Sequence, residues 1–335
     1  MSAPGPAAPA STPLPDAGNG RDIVIEVEGL RKSFGNRVVV DDLSMRVRKG
    51  QIYGFLGPNG SGKTTTIRML CGLLTPDAGR GTCLGLDILT QAREIRSHVG
   101  YMTQKFSLYA DLSVRENLEF VARLYGVPKP EQAAQKALER LGLEGRGKQL
   151  AGELSGGWKQ RLALGACILP SPELLLLDEP TAGVDPQARR EFWEQIHDLA
   201  AEGLTVLVST HYMDEAERCH EIAYIAYGKL LAQGTVQSVI AAAGLTTVTV
   251  EVKGEAGQEA GRIARDLARD LAQRAGVDMV APFGTALHIS GRDAGALEAA
   301  LAPFRADERL VFRADAPTLE DVFIDLMRRS KDEMR

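Results

Sequence analysis

The sequence predicts an α/β fold built on a mostly parallel sheet, followed by a small α+β domain. Four apolar runs of strand length alternate with helical patterns, which is typical of a parallel sheet with helices on its faces. A glycine-rich turn joins a predicted strand at residues 51–56 to a predicted helix at 63–71. After about Ala243 the pattern of elements starts again. The four runs are residues 99–102, 174–177, 205–208 and 222–226.

Composition excludes two classes of protein. The chain has 335 residues, a net charge of -5 and a pI near 5.7. Proteins that hold nucleic acid by bulk electrostatics normally carry a basic excess, so no nucleic-acid partner is expected. The longest apolar runs are of strand length, well short of the roughly 18 residues of a membrane span, so the chain is not expected to cross a bilayer. Residues 1–20 are rich in Pro, Ala, Gly and Ser and predict a disordered tail that is not a signal peptide.

The first predicted domain spans residues 21–243. Its first strand is predicted at residues 23–27, and the strand at 51–56 leads directly into the glycine-rich turn. Gly72 follows the next helix in the position of a C-terminal cap. Because α/β sheets bind their ligands at the carboxyl ends of the strands, the turn lies where a binding site is expected.

A helical insert is predicted within this domain, at about residues 105–155, where the pattern contains helices only. Ser113 and Glu116 have the spacing of a capping box at the start of its first helix. A second helix at about 131–141 ends at Gly142. The insert therefore separates the parts of the sheet domain that carry the motifs described next.

Residues 244–335 predict a separate small domain. Its elements follow the order βαββαβ, as in a ferredoxin-like sandwich, and one further helix comes last. Thr318 and Asp321 predict a capping box for that last helix. The strands are predicted at 246–252, 279–290 (a hairpin through Gly284) and 310–314, and the helices at 259–275 and 294–302. No catalytic constellation is found here, so dimerisation, regulation and simple stabilisation remain open as roles.

A phosphate-binding loop is predicted at residues 57–64, which match the pattern G-x-x-x-x-G-K-[ST]. In such a loop backbone N–H groups point at phosphate oxygens, and the following helix adds its positive dipole. Lys63 is expected to neutralise the β- and γ-phosphates, and Thr64 to bind Mg²⁺. A chance glycine turn is the alternative, but the strand before the loop and the helix after it argue against chance. The predicted nucleotide-binding residues are Gly57, Pro58, Asn59, Gly60, Ser61, Gly62, Lys63, Thr64 and Thr65.

Two carboxylates follow the apolar strand at 174–177. Asp178 is a candidate ligand of Mg²⁺ and of the nucleotide, and Glu179 is a candidate to orient or deprotonate an attacking water. A strand that ends in acidic residues before a proline, here Pro180, is by itself usually just the start of a loop. The phosphate-binding loop elsewhere in the chain gives this pair its functional interpretation.

A second anion-binding turn is predicted at Ser155, Gly156 and Gly157, which precede a helix at about 158–169. One chain needs only one phosphate cradle. Two cradles suggest that the second serves the nucleotide of another copy, as in a head-to-tail dimer. An ordinary helix cap is the alternative interpretation.

Along the chain the phosphate-binding loop comes first, the turn at Ser155 second and the carboxylate pair third, and motifs in that order resemble the ABC ATPase family over about residues 23–235. The resemblance implies a P-loop NTPase with a RecA-like core that uses ATP and Mg²⁺. It also implies that Phe34 stacks on adenine, that Gln104 is the Q-loop residue acting on the metal and in catalysis, and that His211 contacts the γ-phosphate. Asp185 resembles the D-loop carboxylate that touches the opposite subunit. From the residues alone, Phe34 would be interpreted as a core residue and Gln104 as a solvated loop residue. His211 would be interpreted as a structural histidine and Asp185 as a helix N-cap.

One position departs from the family pattern, since the usual LSGGQ reads LSGGW and ends in Trp158. Segments such as LSGGWKQRLALG and TLEDVF resemble the separate ATP-binding subunits of type-2 exporters. The resemblance implies a subunit that closes as a dimer on MgATP, hydrolyses ATP and powers export through a multi-span membrane permease. It would then lie in the cytoplasm, peripheral to the inner face of the plasma membrane. The cargo and the identity of the permease are not encoded in these motifs.

Three rival classes fit less well. A translation-factor ABC protein normally carries two cassettes, and this chain has one. A chromosome or DNA-repair ATPase would place a long coiled coil between the phosphate-binding loop and the turn at Ser155. The residues between those two motifs here are mostly without heptads. A metabolic kinase would explain the phosphate-binding loop but not the second cradle.

Overall fold

The computed structural model describes residues 22–253, 257–284 and 286–333, so the tail predicted at 1–20 lies outside the described residues. The chain divides into two compact units, residues 1–233 and 234–335. The sequence places this boundary later, at 243. The difference is the helix Val236–Ala243, which groups with the second unit because it packs on the last helix, Leu319–Glu333.

The first unit contains two sheets and the helices that cover them. Its elements are β1 (Ile23–Phe34), β2 (Arg37–Arg48), β3 (Ile52–Leu56), α1 (Lys63–Leu70), β4 (Ala78–Cys83), β5 (Leu86–Asp87), α2 (Ala92–His98), β6 (Val99–Met102), α3 (Val114–Leu124), α4 (Pro130–Arg140), α5 (Gly156–Ile168), β7 (Leu174–Asp178), α6 (Pro186–Ala201), β8 (Thr205–Thr210), α7 (Met213–Ala216), β9 (Glu221–Ala226) and β10 (Lys229–Gly234). Short 3₁₀ turns at Glu144–Arg146 and Ala151–Glu153 precede α5.

The larger sheet has six strands in the order β10-β9-β3-β8-β7-β6, and the pairings from β9 to β6 are parallel. Its two faces pack against separate cores. In β7, Leu174 and Leu176 pack in one core, and Leu175 and Leu177 pack in the other. Successive strand residues point to opposite faces, so a strand covered on both faces is continuously apolar. The mostly parallel α/β sheet predicted from the sequence is confirmed.

The smaller sheet is antiparallel, with the order β2-β1-β4-β5. The strand predicted at 23–27 is only the start of β1, and β2 is not predicted from the sequence. In β2 the buried side chains are Val40, Leu43, Met45 and Val47. The spacing changes between the first two of these because Asp42 has a left-handed backbone, with φ of 53°. A bulge of this kind breaks the alternation by which strands are recognised.

The helical insert contains α3, α4 and the two 3₁₀ turns. The capping box predicted at the start of α3 is confirmed, since Ser113 Oγ accepts from Glu116 N at 3.2 Å and Glu116 Oε2 accepts from Ser113 N at 2.8 Å. The second helix begins at Pro130, one residue before the predicted start. Gly142 follows it with a φ of 64°, as expected for a glycine after a helix end.

The second unit has one four-stranded antiparallel sheet, in the order β12 (Met279–Phe283), β13 (Ala286–Gly291), β11 (Thr246–Val252) and β14 (Leu310–Asp315). This is the strand order of a ferredoxin-like sandwich. Thr318 and Asp321 form the predicted capping box, with Thr318 N donating to Asp321 Oδ2 at 2.8 Å and Asp321 N donating to Thr318 Oγ1 at 3.2 Å. The elements are α8 (Val236–Ala243), β11 (Thr246–Val252), α9 (Gln258–Leu271), β12 (Met279–Phe283), β13 (Ala286–Gly291), α10 (Ala294–Leu301), β14 (Leu310–Asp315) and α11 (Leu319–Glu333). Among the described helices of both units, none is long and apolar enough to cross a membrane.

Candidate functional site

The predicted phosphate-binding loop connects β3 to α1 and follows a path that requires glycine. Gly57 has a φ of +152°, and a Cβ built on it would lie 2.0 Å from the carbonyl oxygen of Ile225. Gly62 has a φ of +110°, and its Cβ would lie 2.7 Å from the carbonyl oxygen of Val39. Neither position can carry a side chain without moving backbone. The loop is therefore held in its tight conformation by the strands on both sides of it.

Lys63 is the charged centre of the loop. Its side chain is only 4% exposed, and Nζ donates to the carbonyl oxygens of Gly57 at 2.7 Å and Pro58 at 3.2 Å. Glu179 Oε1 lies 3.2 Å from the same nitrogen. Burial lowers the pKa of Lys63, and the attraction of Glu179 and Asp178 opposes this shift. The ammonium group is thus fixed at the centre of the turn that the glycines form.

Asp178 and Thr64 place two oxygen ligands side by side. Asp178 Oδ1 accepts from Thr64 Oγ1 at 3.1 Å and from Ser209 Oγ at 2.8 Å. Octahedral Mg²⁺ binds oxygen at about 2.1 Å, which puts neighbouring ligands about 3 Å apart, so this pair fits the ion. Within the described residues no group of three or more His, Cys, Asp or Glu side chains could hold a metal. A single carboxylate is nevertheless the usual protein contribution where Mg²⁺ binds together with substrate phosphates.

Glu179 is held from several sides. Its φ is 48°, and its N–H points at Ser209, lying 3.1 Å from the carbonyl oxygen and 3.0 Å from Oγ. Its side chain accepts at Oε2 from Gln104 Nε2 at 2.8 Å, and Nδ1 of His211 lies 3.6 Å from that oxygen. His211 Nδ1 is buried without a hydrogen-bond partner. A left-handed backbone at a non-glycine residue costs energy and occurs often at functional sites.

Lys63, Thr64 and Glu179 line a cleft of about 500 Å³. Phe34 lies on its wall and is 53% exposed, so the interpretation of this side chain as a core residue is wrong. Arg37 and Val39 line the same wall and belong to β2. Because β2 is not predicted from the sequence, neither residue was expected at this site. The lining residues are Phe34, Arg37, Val39, Asn59, Gly60, Gly62, Lys63, Thr64, Thr65, Gln104 and Glu179.

The second predicted anion-binding turn is not part of that cleft wall. Ser155 is the N-cap of α5, and its side chain accepts no capping hydrogen bond. Ser155 and Gly156 are exposed, so their polar groups face outward. Gly157 is different, because a Cβ built on it would lie 2.5 Å from Cβ of Ala188 in α6. Only the first glycine therefore has open space beside it.

Asp185 lies in the exposed turn before α6. Its Oδ1 accepts from the backbone N–H groups of Gln187 at 3.1 Å and Ala188 at 2.9 Å. The predicted N-cap role is confirmed by these bonds, and Pro186 occupies the first helical position. The same carboxylate remains on the outside of the unit, next to α6 and the Gly157 contact.

Trp158 turns towards the helical insert. Its indole packs against the core shared by the insert and the sheet, and it lies between two guanidinium groups. The guanidinium carbon of Arg146 is 4.4 Å from the ring centroid and that of Arg161 is 4.9 Å away. Arg161 also bonds Glu191 in α6. The unusual residue of the LSGGW turn thus joins α5 to the insert.

The comparisons with known proteins agree with one another. The ABC transporter family profile matches residues 40–182. The chain is 45% identical over 216 residues to the "Probable multidrug ABC transporter ATP-binding protein YbhF" of Escherichia coli K12, covering 64% of this chain and 37% of that relative. It therefore spans well under half the length of that relative. It is also 43% identical over 223 residues to the "Nod factor export ATP-binding protein I" of Paraburkholderia xenovorans, covering 66% of this chain and 73% of the relative.

Solved structures give the same result for the fold. An ATP-binding subunit of an ABC transporter superposes with a TM-score of 0.60 at 29% identity, covering 65% of this chain and 92% of that chain. An ATP-binding cassette of an ABC transporter in its ADP conformation has a TM-score of 0.59 at 28% identity and covers 64% and 92%. The matched part corresponds in extent to about two thirds of this chain.

Proposed function

Because the chain belongs to the family of ABC transporter ATP-binding proteins, we propose that it hydrolyses ATP and powers export through a separate membrane permease. The proposal rests on one observation above all. Lys63, Gln104, the pair Asp178–Glu179 and His211 come from four separate segments of the sequence and meet at one cleft. Phosphoryl transfer requires mainly positioning and charge stabilisation, which such a group provides.

Each of these side chains has a proposed role. Lys63 exchanges Glu179 for phosphate oxygens of the bound substrate, and the freed carboxylate then orients and deprotonates the attacking water. Gln104, which already donates to Glu179, holds that carboxylate in line. His211 has a ring nitrogen without a partner beside Glu179 and donates to the γ-phosphate.

Thr64 and Asp178 are proposed to hold Mg²⁺, with Gln104 as a further ligand. The ion would neutralise charge on the phosphates as it builds up in the reaction. Phe34, exposed at the cleft wall, is proposed to stack on the adenine ring. Thr65 and the remaining loop residues would contribute backbone N–H groups to the phosphates.

A second copy of the chain is proposed to complete the site. Ser155 and Gly156 are exposed at the start of α5 and lie outside the cleft of their own chain. A helix N-terminus with free N–H groups is suited to an anion, so the turn would bind the γ-phosphate held by the other copy. Hydrolysis would remove that contact and let the two copies separate.

A membrane permease is the proposed partner that uses this movement. A groove of about 260 Å³ with exposed aromatic and aliphatic side chains lies between the segment around Gln104 and α3. Tyr109, Phe120, Leu124 and Tyr125 line it, and all four are well exposed, Leu124 by 68%. Exposed apolar groups clustered in this way mark interaction surfaces. The export role is supported by the names of two relatives. One is a probable multidrug ABC transporter ATP-binding protein, and the other is a Nod factor export ATP-binding protein.

The replacement E179Q tests the assignment of the base. Glutamine keeps the shape but cannot accept the proton, so kcat should fall by roughly 10²–10⁴-fold while ATP still binds. The ATP-bound variant should also accumulate as a dimer in size-exclusion chromatography with light scattering. E173Q is the matched control, because Glu173 precedes the same strand but its side chain is 62% exposed. Normal hydrolysis by E179Q would show that Glu179 is not the base.

A further inference from the structure

Glu215 is a fully buried carboxylate to which the sequence analysis assigns no role. It lies in the short helix α7, four residues after His211, and has no exposed surface. Its Oε1 accepts from Thr181 Oγ1 at 2.5 Å and its Oε2 accepts from Thr210 Oγ1 at 2.5 Å. Nε of Arg189 lies 3.6 Å from Oε1. We call the three residues Glu215, Thr181 and Thr210 the Glu215 clasp.

The two threonines sit beside the proposed catalytic groups. Thr181 comes two residues after Glu179, and Thr210 directly precedes His211. Both threonines are 1% exposed, so their hydroxyl groups have no access to solvent. One carboxylate therefore connects the segment that follows β7 with the segment that follows β8.

The ring of His211 is also held from the side. Tyr212 stacks on it with ring centroids 4.1 Å apart, and the guanidinium carbon of Arg189 lies 4.1 Å from the Tyr212 ring. Thr210 Oγ1 accepts from the backbone N–H of Tyr212 at 3.1 Å. The position of the imidazole thus depends on contacts that lead back to Glu215 and Arg189.

A carboxylate is an expensive way to fill buried space. Burying a charge costs free energy unless it is fully hydrogen-bonded, and well-packed apolar side chains often replace buried ion pairs without loss of stability. What the two short hydrogen bonds add is a defined distance between two loops. We infer that Glu215 is a positioning residue, which sets the separation of Glu179 and His211 by tying Thr181 to Thr210; this inference rests on the proposed ATP hydrolysis.

Paired variants separate the hydroxyl from the volume of the side chain. T181V removes the donor at nearly constant volume, and T181S keeps it. We expect T181V to lower kcat about tenfold with KM changed by less than about twofold, because misplaced groups slow the chemical step more than binding. T181S should restore most of the rate. In an E215Q background T181V should add little further loss, because coupled residues are not additive.

A second readout does not depend on turnover. With ¹³C-labelled histidine, the ring signal of His211, assigned with H211N, should move in T181V and E215Q, while the signal of His98 should not. Wild-type kcat and an unmoved His211 signal in both variants would overturn the inference, as would equal losses in T181V and T181S. If the wild-type protein hydrolyses no ATP, the proposed function fails, and the His211 signal still decides whether the clasp positions that ring.

Discussion

The two glycines of the LSGGW turn should fail for different reasons when they are replaced. Gly157 lies in the first turn of α5, against α6, and a Cβ there would lie 2.5 Å from Cβ of Ala188. Gly156 has only the carbonyl oxygen of Gly183 within 4 Å of such a Cβ, at 3.9 Å. G157A should therefore disturb the packing of the two helices. G156A should leave that packing intact and act only where another molecule approaches the turn.

The expected magnitudes follow from the contact. Two aliphatic carbons normally approach no closer than about 3.5 Å, so α5 and α6 must separate by roughly an ångström near the turn. Overpacking of this kind costs about 1–3 kcal/mol, against which Ala gains up to about 1 kcal/mol over Gly in a helix. G157A should lose about 1–2 kcal/mol of unfolding free energy. G156A should be as stable as the wild-type protein, or slightly more stable.

Urea unfolding followed by tryptophan fluorescence measures this difference in the right place. The two tryptophans of the chain, Trp158 and Trp193, lie in α5 and α6. G157A should shift the unfolding midpoint to lower urea, and G156A should not. The ATP-induced dimer of an E179Q background should be weakened by G156A, because a methyl group would then cover the N–H groups offered to the other copy. A wild-type midpoint for G157A would refute the steric argument.

Two further predictions concern the cleft. F34A should weaken ATP binding roughly five- to 150-fold, because stacking of a base on an aromatic ring is worth about 1–3 kcal/mol. F34W should keep the wild-type affinity. Equal affinity of F34A and wild type in a titration with a fluorescent ATP analogue would exclude stacking. Burial lowers the pKa of Lys63 from its ordinary 10.5. Between the lowered pKa and 10.5, the unfolded chain therefore binds more protons than the folded chain. The contribution of Lys63 to the free energy of unfolding rises with pH over that window. ATP affinity should fall over the same window as the ammonium is lost, and an affinity that is flat up to pH 10 would contradict the lowered pKa. K63M should bind weakly at every pH, and wild-type affinity in K63M would contradict the role of Lys63.

Much of the fold follows from local signals in the sequence. The run at 174–177 is apolar throughout because its leucines alternate between two cores. The capping boxes at Ser113 and Thr318 form because each side chain satisfies backbone donors at its own helix start. The strand β2 is lost to this kind of reasoning because the bulge at Asp42 shifts its alternation.

The candidate site divides in the same way. The loop around Lys63 can be predicted because the glycines that its backbone conformation requires lie within one short stretch of the sequence. Ser209 cannot, although it bonds both Asp178 and the N–H of Glu179, because it reaches them across the pairing of β7 with β8. Glu215 belongs to the same class, since its partners lie 34 and 5 residues away. A signal for such residues exists only once the strand order is known.

Trp158 shows how a departure from a family pattern is compatible with the proposed mechanism. The groups of the turn that are proposed to bind a phosphate are the hydroxyl of Ser155 and the N–H groups at the start of α5, and none of them belongs to the fifth side chain. The indole points instead into the insert, between Arg146 and Arg161. An indole ring with two guanidinium groups over it is stabilised by stacking and cation–π attraction. A glutamine side chain at the same position would have a weaker interaction with the two arginines. Trp158 thus contacts Arg146 of the insert, where the permease is proposed to bind, and its side chain is not one of the groups proposed to face a phosphate.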